Sequence, residues 1–325
     1  MIRAKQVSRL SGYAPALPTP FHQRGEVDGT VFERLCDRQI QEGATTLVVC
    51  GTTGEAPTLS RGEHDAIVRA AVDVARGRVP VIAGASSNST SHAIDLARAA
   101  EAAGADAVLS VVPYYNRPIQ AGICAHFRAI ADAVALPIFL YDVPSRTACG
   151  LADETVARLA ECPRIVGLKD ATGDVTRVLR LRSRLGPDFR LLSGDDATAA
   201  AFIGLGGDGC ISVTANVAPG LCRALYLALR QAQSSRAREL AAAVARLTAA
   251  LFLESNPAPV KYALSTIGMM PAAVRLPLVE LSAAAKVAVD AGLADVRESY
   301  PDYLITPEIG IDQLIHSAMR MQLRR

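Results

Sequence analysis

Eight short apolar segments in the first two thirds of the chain constrain its fold more than any other feature. They begin roughly 20 to 35 residues apart, about one strand–helix unit each. The segments are Tyr13–Leu17, Thr46–Cys50, Pro80–Ala83, Ala107–Val112, Pro137–Tyr141, Ile165–Leu168, Arg190–Leu192 and Gly209–Val213. Each is continuously apolar rather than alternating, which is typical of parallel strands buried on both faces. The chain is therefore predicted to be an α/β protein with a closed (β/α)₈ TIM barrel.

Amphipathic segments with helix-start signals lie between these strands. Asp28 or Thr30 can cap a helix that runs to Gln41, and Ser60 can cap Arg61–Ala75 with Glu63 completing a capping box. Ser89 or Thr90 opens a further helix, Ser91–Ala103, which ends at Gly104. Four more are predicted at Ala121–Val134, Asp153–Glu161, Val175–Leu185 and Ala197–Ile203. Strands and helices thus alternate throughout, as a barrel requires.

A doubly wound open sheet is the alternative fold for such an alternation. It is weakened by the absence of a GxGxxG motif after the first strand, where Pro18-Thr19-Pro20 stands instead. After the eighth strand the pattern is all-helical, with helices predicted at Gly220–Gln233, Ser235–Leu253, Pro257–Ile267 and Val279–Ala291. We therefore predict a catalytic barrel over residues 1–230, a C-terminal helical region over 231–292 and an extra tail over 293–325, with a short helix at Ile311–Met321.

Composition excludes several classes of function. The net charge is +2 with no basic run, which argues against nucleic acid as a partner. Met1–Leu10 lacks an apolar signal core, and no uncharged stretch is long enough to span a membrane, so we expect a soluble, cytoplasmic protein. The chain has seven cysteines and no CxxC pair, which is typical of a protein whose thiols are reduced. The five histidines show no HxxxH or HxH spacing, so neither a metal site nor a cofactor is predicted.

The catalytic site of a TIM barrel lies at the carboxyl ends of its strands, which directs attention to Lys169 at the end of the sixth strand. Of the 34 basic residues only Lys5, Lys169, Lys261 and Lys286 are lysines, and the other 30 are arginines. A lysine amine can form a Schiff base with a carbonyl, which a guanidinium cannot do. For an isolated strand-end lysine, an amine that merely extends to water is the commoner situation.

Other strand ends supply the groups that imine chemistry on a 2-oxo acid needs. Gly51-Thr52-Thr53-Gly54 offers hydroxyls and backbone N–H groups for a carboxylate, although such turns are common. Tyr141 and Tyr115 can relay protons, although strand tyrosines are more often core residues. Arg146 can bind a second carboxylate, although a loop arginine more often forms a surface ion pair. The combination is much less expected by chance than any member alone.

These motifs resemble those of the dihydrodipicolinate synthase / N-acetylneuraminate lyase family of class I aldolase-type barrels. The similarity covers roughly residues 10 to 292, with the motifs in the family's order. They are Gly51-Thr52-Thr53-Gly54-Glu55, Pro113-Tyr114-Tyr115-Asn116, Tyr141-Asp142-Val143-Pro144-Ser145-Arg146-Thr147, Gly167-Leu168-Lys169-Asp170-Ala171-Thr172-Gly173 and Leu192-Ser193-Gly194-Asp195-Asp196.

The resemblance implies a lyase that condenses pyruvate with aspartate-4-semialdehyde on the pathway to diaminopimelate and lysine. Lys169 would form the Schiff base, Thr52 and Thr53 would bind the pyruvate carboxylate, and Tyr141 would transfer protons, linked through Thr52 to Tyr115. The family also implies a homotetramer built as a dimer of dimers, in which Tyr115 enters the partner's site.

Three further residues complete the implied substrate site. Arg146 would bind the semialdehyde carboxylate, Ile211 would present a backbone carbonyl near the Schiff base, and Gly194 would line the substrate site. Sugar-acid lyases and hydroxy-oxo-acid aldolases of the family share the lysine and the tyrosine, so these remain alternatives. A non-catalytic barrel that senses a small acid is disfavoured by the complete set of reactive residues.

Two departures from the family pattern bear on activity and regulation. Asp142 stands where the family usually has Asn, which is expected to put a negative charge beside Tyr141 and leaves its effect on the rate open. Asn88, Tyr114 and His64 match positions of an inhibitory lysine site found in some relatives, but His92 replaces its acidic residue. Ala56 and Arg61 replace further polar or histidine positions of that site. Because a cationic inhibitor lacks its carboxylate partner, we expect weak or absent inhibition by lysine.

Overall fold

Eight parallel strands form the centre of the computed structural model, which describes residues 10–303. The strands are β1 (Gly12–Pro15), β2 (Leu47–Val49), β3 (Val81–Gly84), β4 (Ala107–Val111), β5 (Ile138–Asp142), β6 (Ile165–Asp170), β7 (Arg190–Ser193) and β8 (Gly209–Ser212). Neighbours in sequence pair from β2 to β8, and β8 pairs with β1. A parallel bridge between Ala16 and Val48 closes the remaining gap, so the predicted TIM barrel is confirmed.

Helices follow the strands on the outside of the barrel. In chain order they are α1 (Gly29–Gln41), α2 (Arg61–Ala75), α3 (Thr90–Ala102), α4 (Gln120–Ala133), α5 (Pro144–Thr147), α6 (Asp153–Ala160), α7 (Arg177–Leu185) and α8 (Ala199–Gly204). The predicted capping box is present, because Ser60 accepts from the Glu63 N–H and Glu63 accepts from the Ser60 N–H. Asp28 and Ser89, rather than Thr30 and Thr90, cap α1 and α3.

The chain after β8 is helical, as predicted. It contains α9 (Pro219–Arg230), α10 (Ser234–Leu251), α11 (Ala258–Thr266) and α12 (Ala283–Ser299). Helix α12 continues past residue 292, so the first residues of the predicted tail are part of this helix. The predicted short helix Ile311–Met321 lies outside the described residues. Within residues 10–303, no helix is both long and apolar enough to cross a membrane.

Apolar side chains form two cores on opposite faces of the barrel wall. The inner core fills the barrel and includes Ile82, Leu109, Phe139, Leu192 and Ile211. The larger outer core lies between the strands and the surrounding helices. Because successive strand residues alternate between these cores, side chains at every second position of β5 and β6 point into the barrel.

Candidate active site

Lys169 and Tyr141 lie side by side near the carboxyl ends of β6 and β5. The two residues are partners in the strand register, and the Lys169 Nζ lies 4.2 Å from the centre of the Tyr141 ring. Strand β6 extends through Asp170, so Lys169 belongs to the strand and its side chain is only 7% exposed. No carboxylate forms an ion pair with this amine within residues 10–303. A buried amine beside a phenol and without an acidic partner is suited to react with a carbonyl.

Gly194 provides the space that the lysine occupies. A β-carbon at this position would lie 2.9 Å from both Cγ and Cε of Lys169 and 3.0 Å from the β-carbon of Ala171. Leu192, two residues earlier on β7, is the register partner of Lys169 and belongs to the inner core. Any side chain at position 194 would therefore displace the amine from its present position.

The predicted carboxylate cradle is a tight turn that directly follows β2. Cys50 and Glu55 bracket it with left-handed backbone conformations, at φ 53° and φ 54°. Inside the turn, Glu55 N donates to the Thr52 carbonyl at 3.1 Å, and Thr19 Oγ1 donates to the Gly54 carbonyl at 2.7 Å. The Thr53 side chain is buried, whereas Thr52 is partly exposed. The loop after β1 thus supports the turn that follows β2.

Gly84, at the end of β3, lets that turn come close to the neighbouring strand. A β-carbon on Gly84 would lie 1.9 Å from the Cys50 carbonyl oxygen, so any residue other than glycine would clash with the backbone there. The glycine is therefore required for the backbone approach that sets the position of Gly51 and Thr52.

Tyr115 and Arg146 are exposed in the single chain. Tyr115 follows β4 with a left-handed backbone at φ 70°, and 88% of its surface is exposed. Arg146 lies in the short helix α5 after β5. Ile211 is an inner-core residue of β8. The structure thus brings Lys169, Tyr141 and Gly194 together, and Ile211 belongs to the same inner core as Tyr141. Tyr115 remains on the surface.

Asp142 faces away from the site, on the outer side of the barrel wall. Its carboxylate accepts from Arg177 Nη1 at 2.8 Å and from the Leu151 N–H at 3.1 Å. Burial raises the pKa of Asp142, and Arg177 opposes that rise. Arg177 also contacts Asp170 and Asp153, so one guanidinium serves three carboxylates. The sequence position next to Tyr141 therefore places this carboxyl on the opposite face of the strand.

The four residues predicted for an inhibitory site surround the end of β3. The His64 Nε2 lies 2.8 Å from the Gly84 carbonyl, and burial lowers the pKa of this imidazole. Asn116 donates to the Asn88 carbonyl at 3.2 Å, next to the partly buried Tyr114. His92 is exposed in the first turn of α3. Neutral and basic groups therefore predominate among these positions.

Residues of the C-terminal region that reach the cradle were missed at the sequence level. Asn256 Nδ2 donates to Thr53 Oγ1 at 2.9 Å, and Lys261 Nζ forms a 2.7 Å ion pair with Glu55. The backbone N–H of Arg275 donates to the second Glu55 oxygen at 3.0 Å. Lys261 is one of the four lysines, and that rarity was the one signal in the sequence that could have identified it.

Within residues 10–303, no three His, Cys, Asp or Glu side chains are grouped so as to hold a metal ion. All seven cysteines are unpaired, and five of them are buried.

Comparison with known proteins adds a consistent result. The family model described as "Dihydrodipicolinate synthetase family" matches residues 9–295. A 4-hydroxy-tetrahydrodipicolinate synthase from Hyphomonas neptunium is 54% identical over 285 residues, which is 87% of this chain and 97% of the relative.

Two solved structures agree with that result. The chloride-inhibited dihydrodipicolinate synthase from Acinetobacter baumannii, complexed with pyruvate, is 44% identical with a TM-score of 0.86, covering 88% of this chain and 98% of that one. The 4-hydroxy-tetrahydrodipicolinate synthase from Methylacidiphilum fumariolicum SolV is 40% identical with a TM-score of 0.88, covering 90% and 98%.

Proposed function

This chain belongs to the dihydrodipicolinate synthetase family, and we propose that it condenses pyruvate with L-aspartate-4-semialdehyde to give 4-hydroxy-tetrahydrodipicolinate. It is a lyase of the class I aldolase type. The observation that carries the proposal is the buried Lys169 amine, 4.2 Å from the Tyr141 ring and without a carboxylate partner in the described chain. Such a group combines nucleophilicity with a nearby proton donor.

The covalent steps begin with pyruvate. The Lys169 amine adds to its C2 carbonyl, and loss of water gives an imine. Loss of a proton from C3 gives an enamine, whose C3 attacks the aldehyde carbon of the second substrate while the aldehyde oxygen takes up a proton. The amino group of the condensed product then attacks C2, closes the ring and releases the Lys169 amine. Tyr141 is the proposed carrier of protons during imine formation and release.

The remaining roles follow from charge and position. Thr52 and Thr53 are proposed to bind the pyruvate carboxylate within the turn after β2, with Thr52 linking Tyr141 to Tyr115. Arg146 is proposed to bind the carboxylate of the semialdehyde, and Ile211 to present its carbonyl close to the imine. Gly194 is proposed to border bound pyruvate because it already borders Lys169.

A second copy of the chain is proposed to complete the proton relay. Tyr115 is 88% exposed in the single chain, and its left-handed backbone holds the side chain out from the barrel. Its proposed place is the site of a partner subunit in a dimer, two of which form a tetramer. For a biosynthetic enzyme that draws on pyruvate, we propose a cytoplasmic location.

Two assays test the proposed function. Borohydride reduction in the presence of pyruvate should fix an adduct on Lys169, which peptide mass spectrometry would locate. Turnover of pyruvate with aspartate semialdehyde should exceed turnover of sugar acids and hydroxy-oxo acids. An unmodified Lys169 would reject Schiff-base catalysis, and preferred turnover of a sugar acid would reassign the chain to another activity of the family.

A further inference from the structure

The buried hydroxyl of Thr53 is held by a residue from outside the barrel. Its Oγ1 accepts a hydrogen bond from Asn256 Nδ2 at 2.9 Å. Asn256 lies between α10 and α11, 203 residues further along the chain, and is itself buried. Across the part of the chain that the structure describes, the Thr53 hydroxyl makes no other hydrogen bond. The C-terminal helical region therefore sets the orientation of a side chain in the carboxylate cradle.

The direction of this hydrogen bond determines what Thr53 can bind. An amide NH₂ group can only donate, so the Thr53 oxygen is the acceptor and its own proton remains available. A carboxylate can only accept. The contact therefore leaves Thr53 as a donor, which is the polarity that an anionic group in the cradle requires. In this orientation Asn256 Oδ1 is buried without a hydrogen-bond partner among the described residues. The opposite amide orientation would direct the Thr53 proton to Asn256 instead, so the direction of the contact has to be tested by experiment.

A buried ion pair fixes the segment that carries Asn256. Lys261 Nζ lies 2.7 Å from Glu55 Oε1, and the two side chains are at most 1% exposed. Lys261 is in α11, and its N–H donates to the Pro257 carbonyl next to Asn256 at 3.0 Å. Glu55 directly follows the cradle, two positions after Thr53. Two contacts thus join one short C-terminal segment to both Thr53 and Glu55.

We propose that Asn256 is a positioning residue for the 2-oxo acid. It holds Thr53 so that the threonine hydroxyl donates to the substrate carboxylate, and the Lys261–Glu55 pair keeps Asn256 in place. This inference rests on the proposed function, because it assigns a pyruvate carboxylate to the cradle. It gives the C-terminal helical region a role in substrate affinity as well as in stability.

The first test is a double-mutant cycle on the full chain. Asn256→Leu, Thr53→Val and the double variant would be compared by calorimetric titration with pyruvate alone. We expect Asn256→Leu to raise the pyruvate dissociation constant about tenfold, the value of one well-placed hydrogen bond. The double variant should match Thr53→Val, because Asn256 acts through Thr53. Unchanged affinity in Asn256→Leu, or fully additive effects, would overturn the proposal.

The second test reverses the polarity of the contact. Asn256→Asp keeps the size of the side chain but offers only acceptors when ionised, so it should capture the Thr53 proton and weaken pyruvate binding by roughly a hundredfold. This variant also carries the test if Asn256→Leu does not fold. Wild-type affinity in Asn256→Asp would overturn the proposal.

Thr248→Val is the matched control. Thr248 lies in α10 and its hydroxyl contacts that of Thr214 at 2.8 Å, so the substitution removes a buried contact between the same region and a different strand end. It should lower the melting temperature without changing pyruvate affinity, whereas a loss of affinity equal to that in Asn256→Leu would mean a general structural effect and overturn the proposal. Failure of the wild-type protein to bind pyruvate would instead reject the proposed function.

Discussion

Lys169 and Lys261 are both buried lysines, but their surroundings differ in whether a carboxylate pairs with the amine. In the C-terminal region, Lys261 is fully buried, paired with Glu55 and packed 4.1 Å from the centre of the Phe21 ring. At the barrel mouth, Lys169 lies against the Tyr141 ring, and among the described residues no carboxylate pairs with it. A paired amine stabilises a fold, whereas an amine kept without an acid remains free to react.

Replacement of Lys169 should have the largest effect and is the sharpest test of this difference. Lys169→Arg keeps a long basic side chain but cannot form an imine, so kcat should fall by at least about a thousandfold. The melting temperature should change little, since no ion pair is lost. Initial rates, with borohydride labelling as a second measurement, check this result. Turnover near the wild-type level would show that catalysis does not require the Lys169 amine, and the proposed difference between Lys169 and Lys261 would be wrong.

Replacement of Lys261 should have the converse effect. Lys261→Met leaves Glu55 buried without its partner, so unfolding in urea should require roughly 3–5 kcal/mol less free energy. Folded Lys261→Met should still acquire the borohydride adduct on Lys169. Lys286→Met is the control, because the Lys286–Glu280 pair lies at the surface, where solvent screens it, and its loss should change stability little. A Lys261→Met protein as stable as the control would contradict a structural role for this pair.

Tyr141→Phe tests the second residue of the reactive region, which consists of Lys169 and Tyr141 at the barrel mouth. The ring that packs against Lys169 is retained and only the hydroxyl is removed, so the fold should be preserved while kcat falls by roughly 10²-fold or more. Rapid-mix measurements should show slower formation of the pyruvate adduct. If only the KM for pyruvate changed, Tyr141 would be a binding group rather than a proton carrier.

The reactive region was easier to predict from the sequence than the paired region, which is the buried Lys261–Glu55 ion pair and its surroundings. Continuous apolar runs identified all eight strands, and the rule that barrel sites lie at strand ends then selected Lys169 and Tyr141. The end of β6 was placed too early, because Lys169 and Asp170 interrupt the apolar run although both belong to the strand. Polar residues at the end of a strand resemble, in sequence, the start of a loop.

Contacts of the paired region have no local pattern. Lys261 meets Glu55 across 206 positions, and nothing in the spacing of either residue indicates the other. The side of the wall occupied by Asp142 follows from the alternation of β5, but its pairing with Arg177, 35 positions further along the chain, required the structure. Tertiary pairing decides such positions, whereas hydrophobic patterning decides only the elements that carry them.

The Glu63–Arg275 ion pair, next to the paired region, should make the stability of the protein depend on pH. The hydrogen bonds from Arg275 lower the pKa of Glu63 from 4.5 to about 2. The depressed folded-state pKa means that the pair stabilises the protein fully above about pH 4.5 and loses that contribution as the pH falls toward 2. Because the Glu63 side chain is 27% exposed, we expect a contribution of about 1–2 kcal/mol.

Glu63→Gln should therefore flatten the acid limb of the stability curve. Urea unfolding at several pH values between 3 and 7 would measure the difference from wild type, which should be largest near neutral pH and shrink on acidification. The activity per folded molecule should not change, because Glu63 contacts Arg275 and Ser60 rather than the reactive region. A difference that stayed constant with pH would mean that the pair contributes nothing through its charge.

Addition of free lysine as an inhibitor should have the smallest effect. The reason is again whether an ammonium group finds a carboxylate partner. A bound ammonium needs a carboxylate, as Lys261 has in Glu55, and the positions His64, Asn88, Tyr114 and His92 offer none.

Asp65, whose carboxylate lies 3.8 Å from His64 Nδ1, already pairs with Arg61 at 2.9 Å. We therefore expect initial rates at saturating pyruvate to be unchanged by sub-millimolar lysine. His92→Glu would restore an acidic group at the exposed first turn of α3 and should introduce measurable inhibition, while His92→Gln serves as the uncharged control. Strong inhibition of the wild-type protein would mean that lysine binds a carboxylate at other residues. The lack of an acid at His64, Asn88, Tyr114 and His92 would then not predict weak inhibition.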